Sequence, residues 1–402
     1  MSDPAERQST TRQLRKARIA VAFVFFAMGA VVANWATRIP VLMDNLGLSV
    51  TALSVALFAA PVAQILSMPL VGPLVTRYGS RQVTRICFVI WCIEFPLIAF
   101  APNLIVLCVV MFAQGGFVSA TDVAMNAHGL VLERRYGRPI LSSFHAWYSI
   151  GLLLGAGTGA LAAWAALDLR VHLLLAAGVA LAGTLLLGPF MLRDDDRVTE
   201  EKQRFFVKPP RQLVALGIIA FVSLLSEGAA SDWSAVYINK PLHASQGVAA
   251  LGLLAFSVAM VIGRVYGDRL AVRFGPVVLT RIGGLLAAGS LIVALLVGHP
   301  VAALAGFAGM GLGLSAVVPT VFRAAGSRSD IAPGIGLASV SLIGYCGYVV
   351  GPPLIGSTAK LIGLPIALGI VALAMVVIGV LASSAAPSEV PARDRQLAVA
   401  ED

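Results

Sequence analysis

The chain has 402 residues, 58% hydrophobic and only 12% charged, with 29 Lys and Arg against 20 Asp and Glu for a formal net charge of +9. So much apolar side chain exceeds what one or two soluble cores can bury, and lipid must cover the remainder. The basic residues fall in short segments between apolar runs, which makes them topology signals and not a nucleic-acid surface.

In chain order, Arg7, Arg12, Arg15, Lys16 and Arg18 precede an apolar run from Ile19 to about Ala36. That run outlasts the core of a secretion signal and leads into further runs, so it reads as an uncleaved first span. Twelve spans are predicted, at 19–42, 50–75, 84–101, 103–131, 140–164, 171–192, 213–238, 247–267, 278–298, 300–324, 334–361 and 364–384. Cys87, Cys92, Cys108 and Cys346 all lie inside them without metal-ligand spacing, so neither a zinc site nor a disulfide is indicated. The polar stretch RDDDRVTEEKQRFFVKPPR divides the spans six and six. The predicted organisation is therefore a cytoplasmic tail (1–18), a six-helix bundle (19–192), a cytoplasmic linker (193–212), a second six-helix bundle (213–384) and a disordered tail (385–402). Lys and Arg crowd alternate loops and leave only Arg38, Arg170, Lys240 and Lys360 on the other side, which predicts an inner-membrane protein with both termini cytoplasmic.

The two halves repeat. A shift of 196 residues superposes Leu74, Arg77, Gly79, Thr84 and Arg85 on Leu270, Arg273, Gly275, Thr280 and Arg281. The same shift pairs Gly115 with Gly311, Ser119 with Ser315, Gly151 with Gly347 and Gly155 with Gly351. The chain reads as an internal duplication: an all-α membrane protein of twelve transmembrane helices in two pseudo-symmetric six-helix bundles.

Twelve helices, a central duplication and a basic glycine-containing loop after the second and eighth spans resemble the major facilitator superfamily over essentially the whole chain. The family's loop motif, Gly-x-Leu-x-Asp-Arg-x-Gly-Arg, is met here by Gly72, Leu74, Arg77, Gly79 and Arg81, with Thr76 at the acidic position and Ser80 at the first basic one. The second copy keeps Leu270, Arg273 and Gly275, has Val272 at the acidic position and carries Asp268 four residues earlier. The resemblance implies the major facilitator fold and a cytoplasmic gate at Arg77, Gly79, Arg81, Asp268, Arg273 and Gly275; Thr76 leaves that gate without its acidic latch in the first half. The segments ATDVAMNAHG (120–129), SFHAWYSIG (143–151) and SEGAASDWSAVY (226–237) further resemble the bacterial MosC/YbjJ-like branch, related to fucose:proton symporters.

An ionisable group inside a span costs about 2.5–3.5 kcal/mol on insertion scales, so each such group needs a reason. Asp122 lies about 16 Å by helical rise from the cytoplasmic end of the fourth span and shares a face with Ser119 and Asn126. It could load and release a proton, as the resemblance to fucose:proton symporters also implies, or it could be a buried group fixing helix contacts. Glu227 in the seventh span and His145 in the fifth are further proton-coupling candidates; a neutral histidine bonded to a neighbouring helix is the alternative for His145. Asn34, Trp35, Ser119, Asn126, Trp147 and Tyr148 are candidate substrate contacts, since an aromatic ring stacks on a sugar-like face while polar partners hold its hydroxyls; Trp147 could equally face lipid. Asn34 with Trp35 looks like the counterpart of Asp232 with Trp233, a pair that could also mark the membrane boundary, and Arg38 could pair with Asp232 or Asp44 as an outer closure. Arg264 and Arg323 are expected in cytoplasmic-side networks with Asp268, Glu133 or Asp330, and Pro352 and Pro353 can break or kink the eleventh span.

No phosphate-binding loop is present, so no nucleotide cofactor is expected and an ion gradient is the remaining common power source. The leading reading is a secondary active transporter of a small polar, sugar- or cyclitol-like solute, proton-coupled, working by alternating access as a monomer in the bilayer. A proton-coupled exporter of amphiphilic drugs and a non-transporting receptor or scaffold are the alternatives. An enzyme is not expected, because no nucleophile–base pair stands out.

Overall fold

Hydrocarbon supplies no water to a peptide group, so each apolar run must satisfy its backbone hydrogen bonds internally. The computed structural model describes residues 4–137, 140–192, 210–328 and 333–386, without the side chains of residues 4–11, Ser142, Asp268, 333–335, 337 and 338. Residues 193–209 of the predicted linker and 387–402 of the predicted tail lie outside the described residues.

The chain folds into α1 (Pro4–Ala36), α2 (Ile39–Leu46), α3 (Val50–Tyr78), α4 (Ser80–Glu94), α5 (Leu104–Tyr136), α6 (Leu141–Trp164), α7 (Leu169–Leu187), α8 (Val214–Asn239), α9 (Gln246–Phe274), α10 (Pro276–Val297), α11 (Pro300–Leu314), α12 (Val317–Gly326), α13 (Pro333–Ile362) and α14 (Leu364–Leu381). Twelve spans are long and apolar enough to cross a membrane, and among the described residues there is no strand. The protein is an all-helical, multi-pass membrane protein of twelve spans.

Local chemistry sets the boundaries. Ser49, Asn103 and Asp168 each accept a backbone N–H of the first turn of α3, α5 and α7, satisfying donors a helix start leaves open. Left-handed Gly47, Gly137 and Gly298 close α2, α5 and α10.

One predicted boundary is corrected. The first span does not run to residue 42: α1 ends at Ala36, and after a turn at Thr37–Arg38 the chain restarts as the short α2. The tenth span stands as one span, Pro300–Gly326, but two helices make it up, α11 ending at Leu314 and α12 starting at Val317. The run GMGLGLS supplies the cause: closely spaced glycines weaken the helix, and the Ser315 hydroxyl folds back onto the Leu312 carbonyl at 2.6 Å. Conversely, α13 continues through Pro352 and Pro353, and α3 through Pro61, Pro69 and Pro73, a tolerance that membrane helices gain from their surroundings.

Packing relies on small residues. A Cβ added at Gly151 or Gly155 of α6 would meet the backbone of α1 at Phe26 and Ala30, and one at Gly29 of α1 would meet the Tyr148 carbonyl. The repeat-equivalent pair behaves alike, with Gly347 of α13 set against the backbone of α8 at Phe221 and Leu225. Contact of backbone with backbone maximises dispersion where no hydrophobic force draws helices together.

The chain forms two compact units. The first comprises Met1–Gln203, Ala230–Val258 and Pro352–Ala367. Within it, at the end opposite the N-terminus, Ala160 and Ala163 of α6 pack on Ala250 and Leu251 of α9, Trp164 covers Gly247, Thr51 reaches the Gly356 carbonyl, and Lys240 pairs with Asp44. The second unit comprises Arg204–Ala229, Ala259–Gly351 and Leu368–Asp402. There α10 and α11 meet through Gly283 and Gly313, and Gly263 lies against the Ser315 side chain.

The two repeated loops have the same conformation. Gly79 joins α3 to α4 with φ 85° and ψ 148°, and Gly275 joins α9 to α10 with φ 78° and ψ 159°. That region is accessible to glycine and strained for any residue with a Cβ. Gly79→Ala and Gly275→Ala should each cost about 1–3 kcal/mol, read as a lowered thermal unfolding temperature of detergent-purified protein. Gly72→Ala, where nothing lies within 4 Å and the helix gains a better former, should leave that temperature unchanged or raise it.

Candidate functional site

The densest polar cluster of the first unit lies where α1 turns into α2. Asn34 is buried; its amide donates to the Ala30 carbonyl at 2.8 Å, and its Oδ1 accepts from the Thr158 hydroxyl of α6 at 3.1 Å and meets His172 Nε2 of α7 at 2.8 Å. On the other side of the ring, His172 Nδ1 faces Arg38 Nη1 at 3.4 Å, and Arg38 Nη2 donates to the Leu167 carbonyl at 2.6 Å. A guanidinium can only donate, so Nδ1 is the acceptor and Nε2 carries the proton toward Asn34. His172 is therefore a neutral imidazole of defined tautomer, linking an amide to a cation. Arg38 is only 2% exposed; burial draws its pKa below the ordinary value and the Asp168 carboxylate opposes that shift. Arg38 thus does not pair with Asp44, which Lys240 holds instead.

Asp122 sits mid-way along α5, partly buried, with Asn126 one turn on. The Asn126 amide donates to Asp122 Oδ1 at 3.2 Å and to its backbone carbonyl at 2.8 Å. One carboxylate oxygen is thereby fixed by the helix's own side chain. Ser119, one turn earlier on the same face, is buried and donates to the Gln64 carbonyl of α3 at 3.2 Å, so its hydroxyl ties two helices together.

In the second unit Glu227 of α8 receives two contacts. The Tyr348 hydroxyl of α13 lies 3.4 Å from Oε2, and Arg264 Nη2 of α9 lies 4.0 Å from Oε1. Arg264, expected in a network at the cytoplasmic end, therefore reaches a carboxylate on a neighbouring helix.

The remaining predicted residues are scattered. Trp35 is buried. His145 is exposed and meets the Phe25 ring edge-on at 5.3 Å; Trp147 is 45% exposed and meets Phe26 edge-on at 6.4 Å; Tyr148 is partly buried. Asp232 is partly buried beside a fully buried Trp233. At the repeated loops, Arg77 stacks over Tyr78 at 5.2 Å and Arg273 over Phe274 at 5.4 Å, while Arg81 donates to the Pro189 carbonyl at 2.9 Å. A cleft of about 340 Å³ lined by Gln13, Lys16, Arg81, Pro189, Phe190 and Met191 lies beside that last contact. The side chain of Asp268 lies outside the described residues.

Sequence reasoning missed His172, Thr158 and Tyr348. Each is one polar residue in an otherwise apolar run, and its partner lies more than a hundred positions away. The signal available was the polar atom itself, which is costly to bury in a span unless it is paired.

Residues 19–332 and 216–401 match the family described as Major Facilitator Superfamily. The chain is 33% identical to an uncharacterized transporter, y4wD, of Sinorhizobium fredii over 365 residues, covering 90% of this chain and 96% of that one. It is 31% identical to the membrane protein MosC of Rhizobium meliloti over 369 residues, covering 91% of this chain and 88% of MosC. A solved nucleoside transporter, NupG, shares the fold with a TM-score of 0.68 at 13% identity, over 93% of this chain and 98% of that chain.

Removing the imidazole would leave Arg38 buried with one acceptor fewer and Asn34 short of a donor. His172→Leu should cost about 1–3 kcal/mol, measured by thermal unfolding. The double variant His172→Leu/Arg38→Met should be more stable than the sum of the two single losses predicts, because the second change removes the cation that the first leaves stranded.

Proposed function

The chain belongs to the major facilitator superfamily, and from that premise we propose that it is a secondary active transporter of a small polar, sugar- or cyclitol-like solute, working by alternating access and coupled to protons. The pairing of Asp122 with Asn126 in the middle of α5 carries the reading. A carboxylate held inside a span needs a function or a partner, and Asn126 occupies only part of its hydrogen-bonding capacity. The free oxygen is the place for a proton. Binding that proton removes the charge from the span, and its release on the other side of the membrane completes the cycle. The same Asp-x-x-x-Asn arrangement is what likens this chain to the fucose:proton symporters.

In this scheme the six-helix halves 19–192 and 213–384 are the moving parts, joined by the 193–212 linker, and the protein works as a monomer in the inner membrane with both termini in the cytoplasm. Asn34, Trp35, Ser119, Asn126, Trp147 and Tyr148 are proposed to meet the solute, with Glu227 and His145 as further proton carriers. Arg77, Gly79, Arg81, Asp268, Arg273 and Gly275 form the cytoplasmic gate, and Arg38 and Asp232 serve the outer one. The matched glycine conformations of the two loops support equivalent roles for them.

Two measurements test this. Asp122→Asn keeps size and hydrogen bonding but cannot ionise. In sealed vesicles it should retain solute exchange while losing accumulation driven by a pH gradient by at least tenfold; in the wild type, accumulation should fall as pH rises on the loading side, because the proton no longer binds. Accumulation by Asp122→Asn at the wild-type rate would remove Asp122 from the coupling role. Reporter fusions at residue 200 and at either end of the chain should report the same, cytoplasmic, side of the membrane. Opposite sides for the linker and a terminus would refute the proposed topology.

A further inference from the structure

Three separate stretches of chain meet around the cleft beside the first repeated loop. Gln13 and Lys16, one turn apart, wall it from α1, Arg81 from α4, and Pro189, Phe190 and Met191 from the turn that follows α7; about 340 Å³ lies between them. A space of that size takes a small polar group. Its lining carries two cations and no acid.

The Lys16 ammonium lies 5.0 Å over the Phe190 ring and makes no ion pair among the described residues. A ring face holds an ammonium from one side and leaves donors for the other. Arg81 donates to the Pro189 carbonyl at 2.9 Å and so forms part of the wall. Arg85, one turn further along α4, lies against Gly188, where an added Cβ would stand 3.0 Å from its Nε. Toward the apolar stretch of each helix the surface changes character. Ile19, one turn after Lys16, is exposed, as are Ile86 beside Arg85, Leu185 and Leu186 near the end of α7, and Phe190 in the turn. A molecule that suits both parts has an anionic head for the cleft and hydrocarbon for the strip next to it.

We propose that this cleft binds the phosphate of an anionic phospholipid from the leaflet on the side of the N-terminus. Lys16 is the cation that meets the phosphate, Gln13 offers its amide to the phosphate oxygens or a headgroup hydroxyl, and the acyl chains lie along Ile19, Leu186 and Phe190. A basic pocket between spans at the level of the headgroups is the setting in which such heads are held. A soluble phosphate would satisfy Lys16 and leave the apolar strip unused, so the lipid is the source assigned. In sequence, the acidic run Asp194–Asp196 begins three residues after Met191 and is the rival occupant. The site goes beyond the transport reading and is independent of the solute carried, since none of the proposed coupling or solute-binding residues lines it.

The test uses the full purified chain in neutral detergent with phosphatidylglycerol, phosphatidylcholine of the same acyl chains, glycerol 3-phosphate and inorganic phosphate. Binding is read by thermal unfolding and by the lipid retained in native mass spectrometry. Phosphatidylglycerol should raise the unfolding temperature and be retained at one molecule per chain, and the other three at the same concentration should do neither. Lys16→Gln should weaken that binding about fivefold, the worth of one lysine beside an anionic surface, and Lys16→Arg should keep most of it. Arg15→Gln, which removes the same charge from a residue that does not line the cleft, should change binding by less than about twofold. The proposal is overturned if phosphatidylcholine binds as well as phosphatidylglycerol, since no charge is then recognised. A soluble phosphate that shifts the protein equally overturns the lipid assignment, and equal losses in Arg15→Gln and Lys16→Gln would show diffuse attraction in place of a site. Phosphatidylglycerol binding that appears only when Asp194, Asp195 and Asp196 are all changed to Asn would give the cleft to the linker and also overturn it. The comparison among lipids on the wild-type chain stands whether or not a variant folds.

Discussion

The contact between Arg38 and His172 shows the constraint under which the whole molecule is built. A guanidinium at the edge of a hydrocarbon layer has little water to turn to, and it is held by an imidazole from one helix and a carbonyl from the turn before it. The imidazole can accept from Arg38 only because Asn34 takes its other proton, and Asn34 is itself braced by Thr158. Four residues from three helices and a turn are thus locked in one arrangement by the need of one cation. The same need explains why the backbone is helical through every described span, and why the Glu133 carboxylate is given over to the N–H groups of Ile140 and Leu141 at the start of α6.

Once polar atoms are satisfied within the protein, apolar attraction between helices is weak, and close approach takes its place. The α1–α6 seam through Gly29, Gly151 and Gly155 and the α8–α13 seam through Gly347 are the two copies of one solution. These seams bring Asn34 to Thr158 in one half and Tyr348 to Glu227 in the other. Packing of the scaffold and placement of its polar groups are therefore one event.

Span count, duplication and family were legible in the sequence, because each depends on composition summed over twenty or more residues or on several matches in one register. The glycines of the two loops were legible too, since the same residue recurred at the same shift. The break between α11 and α12 was not, because a glycine-rich apolar run reads as well for a continuous helix as for two short ones; the Ser315 side chain decides it only once the backbone is folded. His172 escaped notice as one polar residue in an apolar helix, and the contact of Arg264 with Glu227 did too, because the two lie 37 positions apart on different helices. Such pairings depend on which faces of two helices meet, and a single sequence does not encode that locally. Asp122 was found because its partner, Asn126, is on the same helix.

The pair of Lys240 with Asp44 joins α2 to the turn that follows α8, residues 196 positions apart in the chain. Both side chains are exposed, so water and salt screen the attraction and the pair contributes little to stability. A link of that kind can open and close at little cost, unlike the glycine seams, whose backbone contacts cannot be given up piecemeal.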